Sequence, residues 1–248
     1  ERETLADVDL PDTVEGVVTS RIDRLTPQQQ LAVKVASVIG RVFTVRALRD
    51  IHPVERDRAT LLEALHALET LDLTPLEAPE PDLAYVFKHA ITQQVAYDLM
   101  LYAQRKQLHE AIARWYEANH AEELAAHYPV LAHHWGRAEN AERAVHYAEL
   151  AAEQALHNGA SREALEFLAS AQRHAEALAE PPDAQRRAHW EALAGRARNA
   201  LGQLVEARAS LEGALALLGH PVPGSTLATL GAILRESARQ TLHRVRGL

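Results

Sequence analysis

The sequence lacks several features that mark particular classes of protein. It contains no cysteine among its 248 residues, which excludes disulfide bonds, a thiol nucleophile and a thiolate metal site, and fits a cytoplasmic protein. No apolar run approaches the roughly 20 residues that a transmembrane helix needs, and no signal peptide is visible. We therefore expect a soluble, cytoplasmic protein that makes no contact with membranes.

Positive charge is also in short supply. Lys and Arg number 26 against 34 Asp and Glu, which gives a formal net charge of −8. This balance argues against a large surface for nucleic acid or for an anionic membrane. The length and the hydrophobic fraction of 47% are sufficient for one or two domains with real cores.

Methionine is nearly absent. The only methionine is Met100, the first residue is Glu1, and the sequence ends directly after a periodic helical pattern. We expect the chain to be part of a longer polypeptide, so that some of its function lies in segments outside it.

Two helices are predicted in the first forty residues. Asp12 and Glu15 have the spacing of a capping box. Apolar residues then repeat along one helical face: Val14, Val18, Ile22 and Leu25. Thr26 can cap a second helix. Pro27 suits the first turn of this helix, and Gly40 ends it.

Two further helices and a hairpin are predicted next. A short helix covers residues 44–51, and a longer one covers residues 54–71. Residues 73–76 and 83–87 are short apolar runs on either side of a proline-rich turn, and we interpret them as an antiparallel hairpin. Three helices followed by a hairpin is the element order of a winged-helix domain.

Winged helices often bind DNA through their third helix, so its charge is informative. Between residues 55 and 71 the sequence has four acidic residues and only two basic ones. Neutralising phosphates requires the opposite sign. We therefore expect no direct nucleic acid binding by this domain and favour a packing role.

His89 stands at a change of pattern. The apolar run of residues 83–87 ends just before it, and a helical face follows, formed by Ile91, Val95, Leu99 and Tyr102. A side chain at the start of a helix lies near unpaired amides and the positive end of the helix dipole, where a phosphate is favoured. The alternative is that His89 is a structural residue, as most histidines at such junctions are.

Residues 87–97, FKHAITQQVAY, resemble a Phe-Arg-His-Ala-Leu-x-Gln-x-Val-Ala-Tyr segment of bacterial STAND-class signalling ATPases. Many of these are fused to class III nucleotide cyclase domains. The segment is also similar to the Met-His-Asp motif of related switch ATPases, with Lys88 and Ala90 in place of its Met and Asp. The resemblance implies that His89, next to Lys88, senses the phosphates of a bound nucleotide.

Residues 11–25, PDTVEGVVTSRIDRL, resemble the end of the ATPase lid region in the same family. This resemblance makes Arg21 and Arg24 candidates for contact with phosphate or an acidic partner, although a solvated helix face is an equally good interpretation. It also implies that ATP or ADP binds an ATPase domain upstream of Glu1, and that this chain itself holds no cofactor.

The second half of the sequence is alanine-rich and almost wholly helical. Helices are predicted at 122–137, 141–157, 161–178, 184–200, 204–218 and 227–245. Two windows share one pattern at equal offsets: Gly159, Ala164, Leu168 and Ala171, and Gly202, Ala207, Leu211 and Ala214. A weaker third copy has Glu139 where glycine is expected. The pattern is typical of tetratricopeptide-like (TPR-like) repeats, whose superhelix usually binds a protein or peptide.

Two groups of residues resemble a phosphate-binding loop and a metal site, but both lack residues that such sites require. Residues 219–226, GHPVPGST, resemble a phosphate-binding loop, but Ser225 replaces its lysine and a helix precedes it. Five histidines are crowded together without an HExxH motif: His120, His127, His133, His134 and His146. We predict no metal site and no catalytic residues, and we interpret His133 and His134 as packing residues.

The sequence therefore predicts a mainly α protein, with a winged-helix domain carrying a small β-hairpin followed by a TPR-like α-helical superhelix. Residues 1–26 would end the ATPase lid region, residues 27–103 form the winged helix and residues 104–248 the repeats. The predicted function is non-catalytic regulation of a signalling ATPase, and through it of a nucleotide cyclase. Two alternatives are a STAND-type transcriptional regulator whose DNA-binding domain is elsewhere, and a scaffold that binds a peptide.

Overall fold

The structure is a computed structural model and describes residues 13–79 and 82–223. Within these ranges the chain is mainly α, as predicted, with eleven α-helices and three short β-strands. The chain divides into two compact units, and the division falls after Tyr147. None of the described helices combines the length and the apolarity needed to cross a lipid bilayer.

The first helix of the first unit, α1 (Val14–Asp23), is capped by Thr13. The Thr13 hydroxyl accepts a hydrogen bond from the backbone amide of Gly16 at 3.1 Å. The residue predicted to cap it, Asp12, lies outside the described residues. Ile22 of the predicted apolar face is fully buried, so this side of α1 packs on the core.

The second helix, α2 (Pro27–Ile39), begins where the sequence predicts. The Thr26 hydroxyl accepts from the amide of Gln29, and the Gln29 side chain accepts from the amide of Thr26. Pro27 fits the first turn because a helix leaves that amide unpaired in any case. The predicted start and end of this helix are confirmed.

A small antiparallel sheet has the strands β1 (Val42–Thr44), β2 (Leu76–Ala78) and β3 (Ala84–Val86), in the order β1–β3–β2. Tyr85 on the central strand pairs with Phe43 on one side and Leu76 on the other. The sequence did not predict β1. The predicted hairpin is present, but the placement of its first strand at residues 73–76 is wrong.

The hairpin begins later than predicted because residues 73 and 74 complete the end of a helix. The amide of Leu73 donates to the carbonyl of Leu68 at 3.0 Å. Leu73 is also buried, with 2% of its surface exposed. These residues therefore complete the helix end, and the strand itself begins at Leu76. The carbonyls of Leu73 and Pro75 extend the pairing, because they accept from the amides of Lys88 and Val86 at 3.2 and 3.0 Å.

Helices α3 (Val45–Ile51) and α4 (Leu61–Thr70) lie between β1 and β2. The prediction of one helix over residues 54–71 is wrong, because residues 55–59 form a separate 3₁₀ turn. Both the amide and the hydroxyl of Thr60 donate to the carbonyl of Asp57, at 3.2 and 3.3 Å. This local bonding competes with helix continuation, so α4 starts one residue later.

The core of the first unit lies between these helices and one face of the sheet. Large buried side chains come from α1, α3, α4, the later helix Tyr102–Asn119 and the sheet with its flanking residues. They include Ile22, Leu48, Leu65, Ile112, Phe43, Tyr85 and Phe87. Burial of so many large apolar side chains supplies the main driving force for folding of this unit.

The sequence predicted one helical face from Ile91 to Tyr102. The structure has two helices there, α5 (Ala90–Asp98) and α6 (Tyr102–Asn119). The break leaves Tyr102 58% exposed at the start of α6.

Residues 121–127 form a second 3₁₀ segment, so the helix predicted at 122–137 begins only at α7 (Tyr128–Arg137). Because α6 packs on α2 and α3, the predicted boundary between residues 103 and 104 lies inside the first unit.

One carboxylate connects α6, α7 and the start of α8 (Ala141–His157). Glu117 on α6 accepts hydrogen bonds from Trp135 Nε1 at 3.0 Å, from Arg143 at 2.6 Å and from the Tyr147 hydroxyl at 2.8 Å. Burial and the Glu117 charge raise the pKa of Tyr147 to about 12. Tyr147 therefore remains a hydrogen-bond donor at neutral pH.

The second unit contains the rest of α8 together with α9 (Ser161–Ala175), α10 (Ala184–Ala200) and α11 (Leu204–Leu217). Glu149 accepts two hydrogen bonds from Arg186, at 2.6 and 2.7 Å, and a third from Trp190 Nε1. A carboxylate bonded to an arginine and an indole thus ties helices together in this unit as well. The helix predicted at 227–245 lies outside the described residues.

The same type of turn occurs at each of the three predicted repeat positions. Glu139, Gly159 and Gly202 have positive φ angles of 56°, 77° and 76°. After each, the next amide donates to the carbonyl five residues earlier: Asn140 to Trp135 (3.1 Å), Ala160 to Ala155 (2.8 Å) and Gln203 to Arg198 (2.9 Å). This is the hydrogen bond of a Schellman helix end. The weaker third copy thus forms the same turn, with Glu139 in the left-handed conformation.

Gly195 allows α10 and α11 to approach each other closely. A Cβ atom at this position would lie 2.7 Å from Leu211 Cγ and 3.2 Å from the carbonyl oxygen of Ala207. Gly213 on α11 has open space around it instead, with no atom within 4 Å of an added Cβ. The two glycines therefore form a matched pair for mutation.

We expect Gly195→Ala to lower the free energy of unfolding by about 1–3 kcal/mol, because the new methyl group overpacks the contact between α10 and α11. Gly213→Ala should raise it by about 0.5–1 kcal/mol, because alanine restricts the unfolded chain and favours the helix. Urea unfolding followed by circular dichroism measures both effects. Equal changes for the two variants would contradict the close approach at Gly195.

Candidate functional site

His89 lies where the sequence predicts, immediately before α5. It is the N-cap residue, with φ −126° and ψ 134°, and its side chain makes no capping hydrogen bond. Lys88, His89 and Ala90 are all exposed. The ring of His89 and the first amides of α5 are therefore accessible to an external ligand, and the helix dipole favours an anion at this end.

Three basic side chains lie around the same helix start. Arg21 from α1, Arg41 just before β1, and Lys88 just after β3 line one concavity of about 570 Å³ together with His89. We call these four residues and the first turn of α5 the basic cup. Since the four come from three separate parts of the chain, the fold of the first unit is what assembles them.

Backbone contacts hold two sides of the basic cup in place. The guanidinium of Arg21 donates to the carbonyl of Leu71 at 2.6 Å. The amide of Phe87 donates to the carbonyl of Arg41 at 2.8 Å, which continues the pairing of β1 with β3. The cations are thus positioned by the rigid sheet and by the end of α4.

One carboxylate faces the basic cup. Asp72, in the left-handed turn after α4 with φ 58°, accepts a hydrogen bond from Lys88 Nζ. This hydrogen bond, together with the charges of Lys88, His89 and Arg21, holds the pKa of Asp72 below its usual value. Asp72 is therefore ionised at neutral pH and acts as an internal counter-ion that an incoming anion has to displace.

The charge balance of the basic cup favours anions. Arg21, Arg41 and Lys88 contribute three positive charges and Asp72 one negative charge, so the net charge is positive even with neutral His89. Guanidinium, ammonium and imidazole groups near free helix amides bind phosphate oxygens well. The arrangement can therefore bind a phosphate.

The sequence predicted only part of this arrangement. His89, Lys88 and Arg21 are brought together, whereas Arg24 is the exposed C-cap residue of α1 and does not line the basic cup. Arg41 and Asp72 were missed, because only strand pairing and the turn after α4 bring them near His89. A prediction of β1 paired with β3 would have identified Arg41.

Residues 219–223, the described part of the segment GHPVPGST, begin with a turn at the end of α11. Gly219 follows α11 with φ 79°, and the amide of His220 donates to the carbonyl of Leu215 at 2.8 Å. Residues 224–226 lie outside the described residues. A phosphate-binding loop follows a strand, so the described turn is of a different kind.

The comparisons with known proteins add no relative: no family model, no curated protein and no solved structure matches this chain.

Proposed function

We propose that this chain is a non-catalytic regulatory module of a STAND-class signalling ATPase that works in the cytoplasm. In this proposal the basic cup contacts the phosphates of ATP or ADP held by an ATPase domain of the same polypeptide. The helical repeats bind a protein or peptide. The observation that carries the proposal is the exposed His89 at the start of α5, surrounded by Arg21, Arg41 and Lys88.

Residues 27–103 serve in this proposal as a winged-helix domain. Support comes from the element order α2, β1, α3, α4, β2, β3 and from the antiparallel sheet with β3 at its centre. The basic cup lies at the end of β3, close to α1. A neighbouring nucleotide-binding domain that docks there would bring its phosphates to His89 without any rearrangement of the core.

The helices after α6 serve in this proposal as TPR-like repeats that bind a partner protein or peptide. Support comes from the common turn at Glu139, Gly159 and Gly202, and from the small buried residues Ala164 and Ala207 at equal distances after the two glycines. Repeats of this kind bury their faces by stacking and leave an extended surface for a ligand. We propose a protein or peptide in this role, and no nucleic acid.

The mechanism proposed is a two-state switch. The basic cup contacts the nucleotide in one state and loses that contact after nucleotide exchange, which releases the repeats to their partner. A ligand shifts such an equilibrium only by its difference in affinity for the two states. The Asp72 carboxylate provides an alternative partner for Lys88 when no phosphate is present, so Lys88 stays paired in both states.

Pyrophosphate is a simple probe of the basic cup in the chain itself. We expect Arg21→Ala to weaken pyrophosphate binding by about 10-fold, because a charge-assisted hydrogen bond is lost. Asp72→Asn should strengthen binding by about 3-fold, because the competing carboxylate is removed while asparagine still tolerates the left-handed turn. Calorimetric titration at low salt measures both.

Arg24→Ala is the matched control, since Arg24 lies on the same element but outside the basic cup. It should bind pyrophosphate as the unmodified chain does. If Arg21→Ala and Arg24→Ala weaken binding equally, the effect is one of general charge and the proposed phosphate site is wrong.

A further inference from the structure

Three histidines converge at the contact between α6 and α7. His109 comes from α6, and His133 and His134 come from α7. One ring nitrogen from each lies within 4.8 Å of those of the other two. The Nδ1 atoms of His109 and His134 are only 2.8 Å apart. We call these residues the histidine cluster.

The histidine cluster combines two buried members with one exposed member. His109 and His134 are buried, with 2% and 3% of their surface exposed. His133 is exposed as a residue, although its ring lies edge-on to His109 with 5.6 Å between ring centroids. Two of the donors are thus held by packing, and the third lies at the surface next to them.

All three imidazoles have depressed pKa values. Burial, followed by the charges of His133, Arg137 and Arg105, lowers the pKa of His109 to about 3. Burial and the other two histidines lower the pKa of His134 well below its usual value. Desolvation of its ring and the charge of Arg137 lower that of His133. An unprotonated imidazole has one nitrogen lone pair, and this lone pair is what a metal ion binds.

The charges near the histidine cluster bear on whether it binds a cation or an anion. An anion would be attracted by imidazolium ions, whereas a transition metal requires the unprotonated ring. Of the nearby arginines, Arg105 forms an ion pair with Asp98 at 3.2 Å, and Arg137 is exposed at the end of α7. The charge that opposes a cation here is thus partly compensated by Asp98 and partly screened by solvent.

A second layer of contacts orients His109. The Tyr97 hydroxyl lies 3.0 Å from His109 Nε2. When Nε2–H donates to Tyr97, the lone pair of His109 is on Nδ1, the atom that faces His134. Metal-binding histidines in proteins commonly have their other ring nitrogen held by such an outer partner, which fixes the tautomer and the ring orientation.

The cluster also has an open side. The three histidines line a concavity of about 720 Å³ in the first unit, together with Gln93, Gln94 and other residues. Three protein nitrogens and an open fourth position are the arrangement of an exchangeable metal site, in contrast to a closed structural site with four protein ligands. A water molecule or another small ligand can complete the coordination from this concavity.

We propose that His109, His133 and His134 bind one divalent transition-metal ion, with zinc as the principal candidate. Nitrogens at the usual zinc distance are about 3.3 Å apart in a tetrahedron. Binding therefore widens the contact between the two Nδ1 atoms by about half an ångström and brings His133 inwards. The proton on His134 Nδ1 that forms the histidine–histidine hydrogen bond moves to His134 Nε2, and both Nδ1 lone pairs then bind the metal. The proposal is independent of the phosphate-sensing role.

Zinc titration of the tag-free 248-residue chain, measured by calorimetry, tests the proposal. We expect one zinc ion per chain, and no comparable binding of Mg²⁺, which prefers oxygen ligands. His133→Ala should weaken zinc binding by about 100-fold or more, since it removes a direct ligand. His66→Ala, which removes another exposed histidine of the same unit, is the control and should leave affinity unchanged.

Two further measurements separate a metal site from a merely structural cluster. Cobalt(II) should give the intense visible absorption of tetrahedral coordination, and His133→Ala should abolish it. Tyr97→Phe keeps the ring but removes the hydroxyl, and should weaken zinc binding by about 10-fold. Both variants avoid the buried His109 and His134, whose replacement affects folding. Absence of zinc binding, or binding that His133→Ala leaves unchanged, would overturn the proposal.

Discussion

Replacing Glu117 with alanine is expected to lower the free energy of unfolding of the first unit by about 3 kcal/mol. The carboxylate accepts hydrogen bonds from Trp135, Arg143 and Tyr147. Trp135 is 1% exposed and Tyr147 7% exposed, so removal of Glu117 leaves two largely buried donors without this acceptor. Each such loss costs about 1–3 kcal/mol, and losses that share one partner do not add fully.

The contribution of Arg143 to this effect should be small. Half of its side-chain surface is exposed, and ion pairs of that kind contribute about 0–1 kcal/mol. The expected loss therefore comes mainly from the indole and the phenol. Glu117→Gln keeps an acceptor for one of the two and should cost less than the alanine variant.

Glu110→Ala provides the matched control. Glu110 lies on the same helix and pairs with Arg114 one turn away, on the surface. Its removal should change the free energy of unfolding by about 0.5 kcal/mol or less. Urea unfolding followed by tryptophan fluorescence compares the variants. Similar losses for Glu117→Ala and Glu110→Ala would contradict the buried role of Glu117.

The sequence predicted those parts of the fold that short-range contacts determine. The start of α2 follows from Thr26, Pro27 and Gln29, which act within one turn. The turns at Gly159 and Gly202 follow from the preference of glycine for positive φ. These features could be predicted because the residues that form them are neighbours in sequence.

Features that depend on distant partners were missed or misplaced. β1 has only three residues and is stabilised by pairing with β3, more than forty residues away, as in the pair of Val42 with Val86. No local pattern marks it. The start of β2 was misplaced because Leu73 looks like a strand residue but completes the end of α4.

The same reasoning applies to the two candidate sites. His89 could be selected from the sequence because a strand-to-helix change lies beside it, but Arg41 and Asp72 reach it only through the fold. His133 and His134 were noticed as neighbours and interpreted as packing residues. His109 is on another helix, and only the packing of α6 on α7 brings the three rings together.

The functional effect that bears on the proposed nucleotide contact is expected at His89. In a polypeptide that joins this chain to the proposed ATPase domain, His89→Ala should speed the release of ADP by about 10-fold or more. The physical reason is the loss of a charge-assisted hydrogen bond to a phosphate, which is worth about 1.5–3 kcal/mol. The fold should be unaffected, because His89 is exposed and its side chain makes no capping hydrogen bond.

The control for this variant is His66→Ala. His66 is an exposed histidine on α4, outside the basic cup. It should release ADP at the rate of the unmodified protein, and circular dichroism should show equal helix content for all three proteins. This comparison separates a contact with the nucleotide from a general effect of removing a histidine.

Stopped-flow measurement of fluorescent ADP release therefore examines the central claim most directly. If the imidazole at the start of α5 touches the nucleotide, release from His89→Ala is at least several-fold faster, and release from His66→Ala is unchanged. If all three proteins release ADP at one rate, His89 does not contact the nucleotide and the phosphate-sensing role is wrong.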